Sequence, residues 1–249
     1  MTGPLARKIA LVTGAGQGAG LGVAEALAED GATVAVVGRT LAKLEVAVEG
    51  IEASGGHAIA VRCDVGSPDE IDATIEQVVA QFGGVDVLVN AAHHNTRGGR
   101  LLDIDDDDVD LLWRTGPLAT LRFMRACHPH LVGGGSIVNF GSGAQFAPEG
   151  YGVYAGTKDA IQAITRAAAV EWGRDGIRAN VIVPHVTSPS MEAALSDPAR
   201  RERSLASIPI GRFGQPSDIG RVVAFLAGPD AAFVTGQTLL VDGGMKYHR

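Results

Sequence analysis

The chain has 249 residues, 46% of them hydrophobic, and a formal net charge of −7. That is ample apolar material for a substantial core, and an acidic chain with no basic stripe is not built to hold a nucleic acid. No apolar run is long enough to span a bilayer, the first residues do not read as a signal peptide, and Cys63 and Cys127 form no CxxC pair, so a cytoplasmic protein with reduced, packed thiols is expected.

The first expected strand, residues 8–13, runs into a turn with glycine at 14, 16, 18 and 20, which opens a helix over 18–29. Glycine permits positive φ in a tight turn, and without a Cβ it lets the backbone approach a pyrophosphate at the positive end of the helix dipole. In this strand–turn–helix setting Gly14, Gln17, Gly18, Ala19 and Gly20 are candidate dinucleotide contacts. The second strand, 33–38, ends in Gly38-Arg39-Thr40, where a dinucleotide fold meets the adenosine ribose. An acid there would bind the 2′-hydroxyl of NAD(H); Arg39 instead offers a guanidinium fork to a 2′-phosphate, which favours NADP(H), with NAD(H) as the alternative.

A helix at 41–53 and a third strand at 58–63 lead to Asp64, placed to accept a hydrogen bond from an adenine amino group. A helix at 68–82, a strand at 85–90 and a long helix at 107–131 follow. The acidic run 103–110 invites a metal site, but a calcium loop needs a glycine turn and a distal glutamate that are missing. Carboxylates before and in the first turn of a helix suit the dipole and face water. The remaining expected elements are a strand at 136–141, a helix at 152–173, a strand at 177–183, a helix at 216–227 and a strand at 238–241. Alternating strands and helices imply an α/β fold: one doubly wound, Rossmann-type parallel sheet of about seven strands with helices on both faces, forming a single domain over 1–249.

Within the helix at 152–173, Tyr154 and Lys158 stand four residues apart and share one face. A phenol titrates near pH 10, and a nearby ammonium favours the phenolate, which makes the pair a candidate acid–base device. Ser142 follows the end of the fifth strand, at the ligand-binding edge.

Thr13-Gly14, Gly18 and Gly20, then Cys63-Asp64-Val65, Asn90-Ala91-Ala92, and Ser142, Tyr154 and Lys158 together resemble the motifs of the short-chain dehydrogenase/reductase family, in the right order over nearly the whole chain. The closing segment at 208–219, Thr235 to Thr238 and Val241-Asp242-Gly243-Gly244 look like its bacterial ketoreductase branch. The resemblance implies that Tyr154 exchanges a proton with the oxygen of a ketone or secondary alcohol, that Ser142 orients that oxygen, and that Lys158 lowers the tyrosine pKa and holds the nicotinamide ribose. It also implies cofactor contacts at Val65, Asn90, Pro184 and Thr187, and a homotetramer packed through the two long central helices. A substrate lid is expected at 188–207.

The chain departs from the family pattern around the nicotinamide end. His93 stands where the family has glycine, His185 follows Pro184 in place of glycine, Pro189 replaces a threonine, and Gly116 takes the position of a catalytic asparagine. His93, His94 and His185 are read either as proton carriers and substrate contacts or as space-fillers beside the cofactor. Pro117 lacks an N–H and should distort the long helix, freeing the carbonyl of Trp113 four residues back. The rival reading is a nucleotide-binding homologue with little turnover that serves as a regulatory scaffold.

Overall fold

The computed structural model describes residues 3–94, 99–146, 149–187 and 195–245. Seven parallel strands lie in the order β3-β2-β1-β4-β5-β6-β7: β1 is Ile9–Thr13, β2 Thr33–Gly38, β3 His57–Arg62, β4 Val87–Asn90, β5 Ser136–Phe140, β6 Arg178–Pro184 and β7 Thr238–Val241. The order reverses between β1 and β4, and a doubly wound sheet opens its ligand crevice there, beyond the carboxyl ends of the strands.

Both faces of the sheet are covered. Ala10 and Val12 of β1 pack with α1 (Gly18–Glu29), α2 (Leu41–Ala53) and the helix Pro216–Ala227, while Leu11 between them points into a second core. That second core is built on α3 (Pro68–Phe82), α5 (Ala119–Leu131) and α6 (Gly152–Glu171). Alternate residues of one strand thus enter two different apolar layers, and this is why the early strands read as unbroken hydrophobic runs. Glycine sets one of the helix contacts: a Cβ at Gly22 would meet the backbone of Pro216, and one at Gly220 would overlap the Gly22 carbonyl. These two positions let α1 and Pro216–Ala227 cross almost backbone to backbone.

Element ends follow local chemistry. Ser67 caps α3 by accepting from the Glu70 N–H at 3.4 Å, Pro68 starts the helix, and Gly83 at φ 88° closes it. Asp105 caps α4 (Asp106–Trp113) by accepting from the Asp108 N–H at 2.8 Å, and Asp106, Asp107 and Asp108 fill the first turn, so part of the acidic run serves the helix start. The long helix expected at 107–131 is interrupted. Between α4 and α5 lies a π turn, Arg114–Leu118, with Pro117 inside it. Two further helices complete the described chain, α7 (Pro198–Ala206) and α8 (Pro216–Ala227). Cys63 and Cys127 are free and buried. Among the described residues no helix is long and apolar enough to cross a membrane.

Candidate active site

Beyond β1, the chain turns through Gly14 at φ 71° and Gly18 at φ 59°. A Cβ on Gly14 would lie 2.9 Å from the Ala92 nitrogen, and one on Gly20 would overlap the Gly14 carbonyl. Only glycine fits this bend, and the surface it leaves is backbone N–H at a helix start. Gly14, Gln17, Gly18, Ala19, Gly20, Arg39, Asp64 and Val65 all line the same groove, so the residues read from sequence as the adenosine-side contacts converge. This cradle fits a dinucleotide.

Asp64 is fixed in place: its Oδ1 accepts from the Gly66 N–H at 2.9 Å, and its own N–H donates to Glu70 Oε2 at 2.8 Å. Arg39 is exposed at the groove edge and takes part in no ion pair among the described residues. Lys43, in the first turn of α2, lines the groove too and donates to Gln17 Oε1 at 2.7 Å. Sequence reasoning missed this second cation because it looked only at the strand end; the signal was its position one helical turn after Arg39.

Two expected cofactor residues stand elsewhere. Asn90 does not line the groove: its buried amide donates to Asn139 Oδ1 at 2.9 Å, and Asn139 donates in turn to Thr165 Oγ1 at 2.8 Å. That side chain belongs to an internal polar chain linking β4, β5 and α6. Thr187 donates its backbone N–H to the Gly214 carbonyl at 3.4 Å, just past the Val186–Gly214 bridge, and lines neither the groove nor the adjoining pocket. Pro184 does line that pocket. Pro189 and the segment 188–194 of the expected lid lie outside the described residues; the remainder of that range includes α7, whose start Asp197 caps.

The pocket next to the groove brings together Ser142, Tyr154 and Lys158 with His93, His94 and His185. Ser142 faces the Tyr154 phenol and lowers its pKa, and the Lys158 ammonium sits 5.5 Å from the Tyr154 ring centre. Lys158 is 3% exposed and donates to the Phe140 carbonyl at 2.9 Å. Burial draws its ammonium from 10.5 down to about 7. Burial also pushes the Tyr154 phenol up, opposed by Ser142. The lysine was expected to lower the tyrosine pKa; desolvation is the larger influence on it, and the opposing one comes from Ser142 rather than Lys158. Tyr151, which lacks a lysine one turn on, is 42% exposed and lies outside this pocket.

The loop after β4 is clamped onto β1 by Thr13, whose Oγ1 accepts from the N–H groups of Ala91 and Ala92 at 3.1 Å each. This places the next residue, His93, over the π turn. Its Nε2 lies 3.0 Å from the Leu112 carbonyl, and its ring stands 5.1 Å from the Tyr154 ring at 31°. Burial and the neighbouring Lys158 lower its pKa to about 3, so it is neutral at physiological pH. The distortion foreseen at Gly116-Pro117 is present, but the carbonyl that acquires an outside partner is that of Leu112, one residue before Trp113. In a π turn the N–H five residues on takes over from the one four residues on, so the Trp113 carbonyl, which faces the N–H that Pro117 lacks, is answered within the turn Arg114–Leu118 by Leu118.

A family model described as enoyl-(acyl carrier protein) reductase matches residues 14–246. The 12alpha-hydroxysteroid dehydrogenase of a Clostridium species is 39% identical, aligned over 96% of each chain. The chain belongs to the short-chain dehydrogenase/reductase family. It is an NAD(P)-dependent oxidoreductase of that family, with a nicotinamide cofactor. The 3-oxoacyl-(acyl-carrier-protein) reductase FabG of Staphylococcus aureus is also 39% identical, covering 96% of this chain and 98% of its own. Among solved structures, a blue fluorescent protein from a metagenomic library in complex with NADPH superposes with a TM-score of 0.90 at 33% identity, over 98% of this chain and 100% of that one. A short-chain alcohol dehydrogenase from Sinorhizobium meliloti 1021, described as putative in its source, gives 0.91 at 34% identity over 97% of each.

Proposed function

We propose that this protein interconverts a ketone and a secondary alcohol with NADP(H), using Tyr154 as the proton donor and acceptor. The observation that carries the reading is the convergence of Ser142, Tyr154 and Lys158 in one pocket that adjoins the glycine-built groove. Gly14, Gln17, Gly18, Ala19 and Gly20 would hold the pyrophosphate and Asp64 and Val65 the adenine. Lys158 and Pro184 would meet the nicotinamide end. Arg39, with Lys43 beside it, would receive the 2′-phosphate. The NADPH-bound structural neighbour supports this cofactor choice, and the relative named as a 3-oxoacyl reductase supports a carbonyl substrate.

Bound nicotinamide supplies hydride to the carbonyl carbon in reduction and takes it up in oxidation. The chain's own residues manage the proton. A phenol whose pKa is raised by burial is fully protonated at neutral pH, so Tyr154 is charged with the proton that the reduced oxygen needs. Ser142, facing that phenol, is placed to donate to the same oxygen and fix its position. Lys158, titrating near neutrality, returns a proton to Tyr154 after each reduction. Residues 188–207 would close over the substrate, and exposed apolar residues on the central helices, Val170 at 81% and Leu118 at 43%, support a homotetramer packed through them. The test is NADPH consumption against a panel of ketones beside cofactor binding followed by fluorescence; binding without turnover across the panel overturns the reading in favour of a scaffold.

A further inference from the structure

The proposal below rests on the enzyme reading and deepens it. Two departures in sequence, His93 and Gly116, turn out to be one structural unit. A Cβ at position 116 would lie 2.6 Å from His93 Nε2 and 2.7 Å from its Cε1, so the imidazole fills the space that any side chain at 116 would need. The same imidazole reaches the Leu112 carbonyl, at the point where α4 enters the π turn. A carbonyl can only accept, so Nε2 carries the hydrogen of the neutral ring and Nδ1 carries none. Nδ1 is buried and has no hydrogen-bond partner among the described residues. Space-filling alone would be met better by a phenyl ring, which buries no unmet acceptor. What the imidazole has that phenyl lacks is the Nε2–H, and it is spent on the π turn.

We propose that His93 is a positioning residue: its Nε2–H ties the loop after β4 to the Leu112 carbonyl and so fixes the entry to the π turn, while its ring seats the Tyr154 phenol. The turn carries Thr115 into the wall of the groove and Gly116 against His93. His94 donates its N–H to Thr115 Oγ1 at 3.2 Å, and Thr115 donates to the Leu111 carbonyl at 2.7 Å. Two consecutive residues of the loop after β4 are therefore pinned to one distorted stretch of helix. That stretch contacts α6, which bears Tyr154 and Lys158. The groups around Tyr154 are Lys158, Ser142 and His93, with His94 and His185 lining the same pocket.

The test separates donor from ring. His93→Gln keeps an N–H donor at the reach of Nε2 and loses the ring; His93→Phe keeps the ring and loses the donor. Two measurements need no turnover: amide hydrogen exchange across residues 112–119, and the titration of Tyr154 followed by carbon NMR, where only Tyr151 and Tyr247 share the spectrum. His93→Phe is expected to speed exchange across the turn by about tenfold or more and to leave the Tyr154 titration high. His93→Gln is expected to spare the exchange and to let the Tyr154 pKa fall back toward its ordinary value as water reaches the phenol. With a ketone that the unmodified protein reduces, both variants should lower kcat by about tenfold or more with little change in cofactor Kd. Unchanged exchange in the phenylalanine variant together with an unchanged Tyr154 titration in the glutamine variant overturns the proposal. Absence of turnover in the unmodified protein, with both resting-state results as expected, removes the enzyme reading and leaves the His93 assignment standing.

Discussion

Lys158 sits inside the protein with one hydrogen bond to the Phe140 carbonyl, and burial draws its ammonium from 10.5 to about 7. A group held that far from its unfolded value works against the fold, so Lys158→Met should stabilise the protein while removing its activity. The displacement is ~3.5 pH units, and at ~1.4 kcal/mol per unit the ceiling on the gain is ~5 kcal/mol. Losing the donor to the Phe140 carbonyl returns about 1–3 kcal/mol of that. A net gain of ~2–4 kcal/mol should raise Tm by about 4–16 °C in a chain of this length. The sign depends on pH. Between about 7 and 10.5 the unfolded chain binds more protons at this position than the folded one, so its contribution to stability rises with pH through that window. The penalty is therefore complete below about pH 7 and gone above the unfolded value, and the advantage of methionine should be largest at about pH 6.5 and much smaller at about pH 9.5. Thermal unfolding of both proteins without cofactor, at those two pH values, is the assay. A methionine variant that melts lower than the unmodified protein at the acidic pH, or that gains equally at both, refutes the reasoning.

Arg39→Asp should reverse or erase a preference for NADPH over NADH, by roughly tenfold or more in kcat/KM, and Lys43→Ala should weaken it less; equal efficiency with both cofactors in the unmodified protein counts against the 2′-phosphate assignment. Tyr154→Phe should cut turnover by on the order of a hundredfold or more while fluorescence titration shows cofactor binding intact; near-normal ketone reduction would rule the phenol out as proton donor. Gly116→Ala forces a Cβ against His93 and should cost ~1–3 kcal/mol in chemical denaturation, much of which should disappear when His93→Ala is made in the same chain. Additive effects of those two substitutions would show that the positions are independent.

The expected strands and helices agree with the structure to within a few residues almost everywhere, because each is set by local chemistry. The glycine turn needs positive φ at Gly14 and Gly18, α3 carries its own serine cap and glycine stop, and strands buried on both faces are apolar without a break. The groove contacts were legible for the same reason: a strand–turn–helix puts Gly14 to Gly20, Arg39, Asp64 and Val65 at one sheet edge whatever the rest of the chain does. Asn90 and Thr187 show where that reasoning stops. Both stand near the correct edge, but the side chain of Asn90 turns to Asn139 and the backbone of Thr187 to Gly214, partners far off in sequence that no local pattern reveals.

The sequence by itself determined the alternation of elements, the cradle for a dinucleotide and the tyrosine–lysine pair, since all of these depend on residues within a turn or two of each other. Only the tertiary structure decided the state of that pair and the meaning of the odd residues beside it. A pKa responds to how much water is left around a group, so whether Lys158 is charged depends on everything packed over α6. His93 and Gly116 lie 23 positions apart in the chain, and the imidazole meets the glycine and the Leu112 carbonyl only once the loop after β4 has folded onto the π turn. Local pattern shows that a helix will be disturbed; which side chain answers the disturbance is a property of the packed molecule.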